Sequence, residues 1–240
     1  NTSSDDAVIW FKHTDGFTEE GQNASGDDVT ASYAGGSWND ASIMAVDEAL
    51  KRLHDLTGNT RLLKLANNGN FNFHRVGNWQ GASDGSDFGE FLGGQNDRLG
   101  NIYLTSVGMA GAILSVEQVV IHEIGHNWDW SGANNTADDF YAISGWTNSS
   151  YTSGSGRFGG WIIINDTGGD PNDNWWHSYY GEGFVSEYAR TNPYEDFAES
   201  FTAYIMGSEY IGYDANGNLT GGISDTPGKA NYMANFIASI

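Results

Sequence analysis

His122, Glu123 and His126 stand in the order His-Glu-x-x-His, and this pentapeptide constrains the chain more than any other stretch. It lies within Ser115–Trp128, which the apolar spacing predicts as a helix opened by a capping box at Ser115-Val-Glu-Gln118. Residues four apart share one helix face, so both imidazoles can reach one ion. Glu123 is turned about 100° from His122, which sets its carboxylate beside the ion rather than on it. There it can take a proton from an attacking water. The bland alternative is a coincidence in a core helix. From the counts of His and Glu alone, such a pentapeptide would arise here with a chance of about 0.007.

Two imidazoles do not complete a zinc site, which takes a third protein ligand. The chain contains no Cys, so the third must be His, Asp or Glu. The extended pattern HExxHxxGxxH fails, because Asp129 holds its Gly position and Gly132 its last His position. His177, in Trp175-Trp-His177, has no regular element to direct it. The candidates among the downstream carboxylates are Asp129, Asp138, Asp139, Glu182, Glu187, Glu195 and Glu199. Glu195 and Glu199 lie on one face of a helix predicted over Asn192–Met206, with Asn192 as its cap and Pro193 first. Asp138 and Asp139 are read as a polar loop, and Glu182 and Glu187 precede the helix.

The stretch Ser186-Glu-Tyr188-Ala-Arg190-Thr-Asn192-Pro-Tyr-Glu195-Asp-Phe197-Ala-Glu199-Ser-Phe201 resembles the third-ligand segment of the anthrax lethal factor-like zinc metallopeptidases, whose relatives include the Pro-Pro endopeptidases. In that family a Tyr lies seven residues before the ligand Glu, and here 195 − 188 = 7. The resemblance covers HExxH, this segment and, more weakly, Asn235-Phe236-Ile237. It implies a zincin-like fold, with His122, His126 and Glu195 as Zn²⁺ ligands and Glu123 as general base. It further implies that Tyr188 stabilises the oxyanion and that Glu199 holds a ligand imidazole from behind. For Tyr188 the alternative is an ordinary loop aromatic; for Glu199 it is a solvated helix face. The interval from His126 to Glu195, 195 − 126 = 69 residues, is longer than expected of the family. The added length is the Gly-, Asn- and Trp-rich stretch after Trp128.

Elsewhere the patterning predicts strands at Ala7–Phe11, Arg61–Ala66, near Phe71–Val76, at Ile102–Val107 and at Trp161–Ile164. Helices are predicted over Ser37–Leu56, ended by Gly58, and from Thr226-Pro227 to about Ile240. Strands come first and helices later, so the class is α+β. We read residues 1–240 as one zincin-like catalytic domain. Its N-terminal lobe, about 1–128, would be a mixed sheet, and its C-terminal lobe, about 129–240, mainly helical. The strand Ile102–Val107 is the expected edge along which a peptide would lie.

Lys and Arg number 10 against 31 Asp and Glu, a net charge of 10 − 31 = −21. That excludes a basic nucleic-acid footprint and disfavours anionic membrane surfaces. No apolar run is long enough to span a bilayer. The polar first residues read as a mature or trimmed chain, and the charge fits a secreted protein, with monomer as the default. The partner expected is a peptide or protein substrate. Calcium is the weaker metal expectation. Asp214, Asn216, Asn218 and Asp225 keep a loop-ligand rhythm, but Leu219 stands where such a loop has Gly, and Asn216-Gly217 reads more simply as a hairpin turn. Asp166, Asp170 and Asp173 are further acidic candidates, also read first as a turn. Gly81-Ala-Ser83-Asp-Gly85 and Gly154-Ser-Gly156-Arg-Phe-Gly159 match GxSxG and GxGxxG but lack the flanking strand and helix those motifs need. The competing function is a cell-surface or matrix-binding module that uses Trp146, Trp161, Trp175 and Trp176.

Overall fold

The computed structural model describes residues 9–22, 27–65, 67–97, 99–111, 115–129, 136–147, 161–165, 175–178 and 183–240, with backbone alone at 22, 136–138, 147, 161–165 and 175–178. The chain divides into two compact units, Asn1–Ala133 and Asn134–Ile240. Its class is α+β.

The first unit is built on a five-stranded mixed sheet. Strand β1 (Ile9–Gln22) extends well past the predicted Phe11, and β2 (Asp28–Gly36) returns antiparallel to its second half. The first half of β1 pairs in parallel with β3 (Phe71–Ala82), whose second half pairs with β2. Three strands therefore exchange neighbours around residues 34–36 and 75–77. A Cβ on Gly77 would come 2.5 Å from the Gly35 carbonyl oxygen, so only glycine lets these backbones cross. The sheet continues through β5 (Asn101–Leu104) to β4 (Gly94–Asn96), which forms its outer edge.

This order corrects the expected edge. β5 is bonded in parallel to β3 and antiparallel to β4, so it is interior. It also stops at Leu104. Thr105 accepts a hydrogen bond from Gly108 N and starts the short helix α2 (Ser106–Met109). The strand predicted at Arg61–Ala66 is instead a 3-10 turn, Arg61–Leu63. Leu62 and Leu63 are both buried. Two adjacent inward side chains contradict the alternation of a half-buried strand.

Helix α1 (Asp40–Thr57) buries Val46, Leu50 and Leu53 of its expected three-to-four spacing, with Ala49 beside them, while Ile43 is half-buried and Leu56 exposed. Asn39 and Ser42 form a reciprocal capping box at its start, and Gly58 closes it with φ 67°. Helix α3 (Val116–Asp129) carries HExxH. Ser115 Oγ accepts from Gln118 N at 3.0 Å, which opens the helix where the sequence placed it. Arg52 of α1 bonds Glu117 of α3, and the Arg61 guanidinium lies 4.7 Å over the Trp128 ring at the far end.

The second unit holds α4 (Thr136–Ser144), a small antiparallel sheet, α5 (Pro193–Met206) and α6 (Pro227–Ser239). The sheet runs β6 (Trp146–Thr147), β8 (Trp175–Ser178), β7 (Trp161–Asn165) in spatial order. Phe140, Phe197, Phe201 and Phe236 form the aromatic core, with Phe140 and Phe197 rings 5.3 Å apart and Phe197 and Phe236 rings 5.8 Å apart. Asp139, expected in a loop, lies on α4. No helix among the described residues is long and apolar enough to cross a membrane.

Candidate metal centre

The candidate residues of the first unit lie on α3. Eleven of its fourteen residues are buried, so its orientation is fixed by packing on nearly every side. The His122 and His126 Nε2 atoms face each other at 3.1 Å, and the two rings stand at 85°. Two imidazoles on one tetrahedral zinc, at about 2.0–2.1 Å each, hold their nitrogens roughly 3.3 Å apart. The separation of the pair is thus close to that of two imidazoles sharing one ion, and imidazole nitrogen is a common zinc donor.

Glu123 is 5% exposed and lies against the outer strand. A Cβ on Gly94 of β4 would come 2.7 Å from Glu123 Oε1, so glycine is needed for the edge to pass so near the carboxylate. Asn96 Nδ2, also on β4, donates to the Glu123 backbone oxygen at 2.5 Å. Edge strand and candidate base are therefore built as one piece.

A residue the sequence analysis did not single out bears on that base. Glu19, in the middle of β1, has its carboxyl pushed up to about 7, first by burial, then by the Glu123 charge, then by Glu20. Its Oε2 is sealed from water without a hydrogen-bond partner. In turn burial, and then the Glu19 charge, push the Tyr33 hydroxyl up to about 12. Nothing in the polar run Thr18-Glu-Glu-Gly21 marks Glu19 as inward; the signal is its two-residue step from Phe17, visible only once β1 is known to continue.

The raised carboxyl makes a stability prediction. Below the unfolded value of 4.5 Glu19 is protonated in both states and costs nothing. Between 4.5 and about 7 the unfolded chain ionises first, and folding stability is lost as pH rises. Glu19→Gln should therefore match the parent near pH 4 and exceed it at pH 8. The gain should be about 1–2 kcal/mol once the solvent-screened part of the side chain is allowed for. Urea unfolding of both proteins across this range measures it, and a pH-independent difference would refute the ionisation.

The remaining candidate residues belong to the second unit. Asn192 caps α5, its Oδ1 accepting from Tyr194 N and Glu195 N at 2.9 Å each. Pro193 follows, as the sequence predicted. Glu195 is thereby fixed in the first turn and is half-buried. The next residue, Asp196, is wholly buried and pinned by Lys229 Nζ at 2.6 and 2.8 Å and by Trp146 Nε1 at 2.9 Å. The helix start that presents Glu195 cannot rotate without breaking this cluster.

Glu199 is buried, which removes the solvated-face alternative. Its carboxylate accepts from Ser186 Oγ at 2.6 Å and from the Tyr210 hydroxyl. Burial, then the Glu199 charge, push the Tyr210 hydroxyl up, so it stays a donor. Ser186 Oγ also accepts from Ala189 N, anchoring the 3-10 turn Tyr188–Arg190. Tyr188 itself is 55% exposed. Glu187 is held in a two-armed ion pair by Arg190, at 2.9 Å to each oxygen. Asp139 is exposed on α4 and Asp129 is buried on α3.

The lesser candidates resolve as turns. Asp214 Oδ1 accepts from the backbone N–H of Asn216 and Asn218, and Asp225 from Gly221 N. Ser83 Oγ accepts from Thr30 N at the end of β3. Trp146, expected on a binding loop, is buried on Asp196. The side chains of Trp161, Trp175, Trp176, His177 and Asp138 lie outside the described residues, as do Asp166, Asp170, Asp173, Glu182 and Gly154–Gly159. No protein-family model, curated protein or solved structure matches this chain.

Proposed function

We propose that this protein is a secreted zinc-dependent endopeptidase of zincin-like fold, its two units together forming one catalytic domain. The observation that carries the reading is the buried helix α3, on which two imidazole nitrogens converge at 3.1 Å beside a carboxylate fixed to a sheet edge. His122 and His126 hold the metal with Glu195, whose role rests on the resemblance of its segment and on the rigid start of α5. When bound, zinc supplies Lewis acidity that lowers the pKa of a water and polarises a carbonyl. Glu123 takes the proton from the attacking water and passes it to the leaving amine. Tyr188 offers its exposed hydroxyl to the oxyanion. Glu199, with Ser186 and Tyr210, fixes the turn that carries Tyr188, alongside its proposed hold on a ligand imidazole. A peptide pairs in extended form with β4 rather than β5, because β4 is the free edge and runs past Glu123.

Two measurements test this. Zinc-loaded protein should cleave members of a mixed peptide library, and chelation should stop it; no cleavage of any peptide would favour a binding module. Zinc titration of variants tests the third ligand. Glu195→Ala should weaken zinc binding by more than the 10–100-fold that loss of an outer partner such as Glu199 costs. Unchanged affinity in Glu195→Ala, with loss in Glu187→Ala or Asp139→Ala, would overturn the assignment.

A further inference from the structure

Arg75, on β3, is a half-buried cation that bonds no carboxylate among the described residues. Lys51, Arg52, Arg190 and Lys229 each bond one, as a net charge of −21 makes easy. The Arg75 Nη1 donates instead to the Val76 carbonyl and, at 3.2 Å, to that of Leu104. Its Nη2 donates to Ser106 Oγ at 3.3 Å. Burial pulls the guanidinium below its ordinary value. Partly burying a charge that no anion balances costs free energy. Tying β3 to β5 and α2 does not require the charge, because a neutral amide can donate to the same oxygens.

A guanidinium carries five N–H donors in one plane. The two on Nη1 and one on Nη2 are taken, which leaves Nε–H and the second Nη2–H. These two nitrogens form one edge of the fork, an edge that a carboxylate takes in two parallel bonds. The bonds to Val76, Leu104 and Ser106 already hold the plane, so little side-chain freedom remains to be lost on binding. The row in which Arg75 stands runs from the core to the rim. Leu104, Arg75 and His13 are register partners across β5, β3 and β1, and they pass from buried through half-buried to exposed. Such partners turn to one face of the sheet. His13 Nδ1 accepts from Trp38 N at 3.2 Å, so Nε2 carries the ring proton and offers another donor on that face. Ser106 Oγ accepts from Arg75 and keeps its own proton to donate.

We propose that this corner of the first unit is a binding site for a carboxylate group, seated on the Nε–Nη2 edge of Arg75 with Ser106 and His13 at its margin. One guanidinium supplies one fixed positive charge, which a carboxylate balances. A phosphate dianion would bring a second negative charge into a strongly acidic chain. The carboxylate belongs to a small free acid or to the C-terminus of a peptide, and its chemistry at Arg75 is the same in both. The proposal does not depend on the roles of His122, Glu123 and His126.

The test follows the Arg75 Nε–H signal of the full chain by ¹⁵N NMR near neutral pH. Sodium acetate in one arm, and trialanine with a free C-terminus in the other, are the probes. A probe that binds should move the signal to saturation. Sodium chloride at equal ionic strength should not, nor should trialanine as its C-terminal amide. Saturation by acetate identifies a site open to small acids, and saturation by the peptide acid alone identifies one for a chain end. In Arg75→Gln the His13 and Ser106 amide shifts should need about 10–100-fold more of the same probe, the scale of a lost hydrogen bond to a charged group. Arg75→Lys keeps the charge without the fork and should bind more weakly than the parent. Should Arg75→Gln not fold, the parent signal still decides. A signal that no carboxylate moves, or that chloride or the amide moves equally, overturns the proposal and leaves Arg75 as a tie between β3, β5 and α2. Saturation by inorganic phosphate but by neither carboxylate overturns it as well. A carboxylate held at the metal centre instead would leave this signal unmoved, so zinc binding cannot imitate the expected result.

Discussion

Glu123→Gln should keep its zinc and lose turnover by about a thousandfold, within the 10²–10⁴-fold range that a positioned base contributes. The substitution is nearly isosteric, and isostery matters here because the side chain is 5% exposed and lies against the backbone of Gly94. An amide fits that space, and the Asn96 bond goes to the Glu123 backbone oxygen, which the change leaves alone. Helix α3 and its two imidazoles should therefore stay in place. What is removed is the capacity to accept a proton. Metal analysis and steady-state cleavage of a peptide drawn from the library measure the two effects separately. Loss of zinc along with activity would mean that Glu123 shapes the site rather than serving as the base. Retention of most of the parent rate would remove Glu123 from the mechanism altogether.

The parts of the fold that could be read in the sequence are those whose signals are local. α1, α3, α5 and α6 each announce themselves at their start by a cap residue or an opening Pro, and Gly58 and Gly207 end α1 and α5. All four begin and end within a few residues of expectation. The sheet was less legible because its order is set by partners distant in sequence. β1 runs through Lys12–Gln22, a stretch with few apolar residues, because it gains hydrogen bonds from β2 and β3 rather than from a hydrophobic pattern of its own. β5 looked like an edge because Gly94-Gln-Asn96 is too short and polar to read as a strand. The turn Arg61–Leu63 looked like a strand because two consecutive Leu fit β patterning as well as a 3-10 turn.

The candidate site divides in the same way. His122, Glu123 and His126 are legible because their chemistry depends on spacing along one helix. Glu19 is not, because its inward direction follows only once β1 is known to continue past Phe11. Lys229 was legible in principle: Lys229, Met233 and Phe236 keep the spacing of the stripe that α6 buries. A Lys on that stripe implies a buried anion, and the structure supplies Asp196.

That pair makes the largest stability prediction. Lys229 and Asp196 are both fully buried, with Nζ at 2.6 and 2.8 Å from the two carboxylate oxygens. The ammonium also lies 4.8 Å from the centre of the Phe184 ring and 5.7 Å from that of Phe140. Trp146 Nε1 gives the carboxylate one further donor. Lys229→Met fills nearly the same volume but leaves the Asp196 charge enclosed with too few partners. Removing one member of a buried pair costs about 3–5 kcal/mol, mostly from the charge left behind. Lys229→Met/Asp196→Asn removes both charges while keeping the shape, so it should recover a good part of that loss. Urea unfolding of the parent, both single variants and the double variant closes the cycle. The coupling has a consequence at the candidate metal centre as well. Asp196 follows Glu195 in the first turn of α5, so the single variant should loosen the carboxylate proposed as ligand and weaken zinc binding, which the double variant should partly restore. A Lys229→Met protein within about 1 kcal/mol of the parent would show that Asp196 reaches water or another cation, and that the start of α5 is held by its Asn192 cap instead.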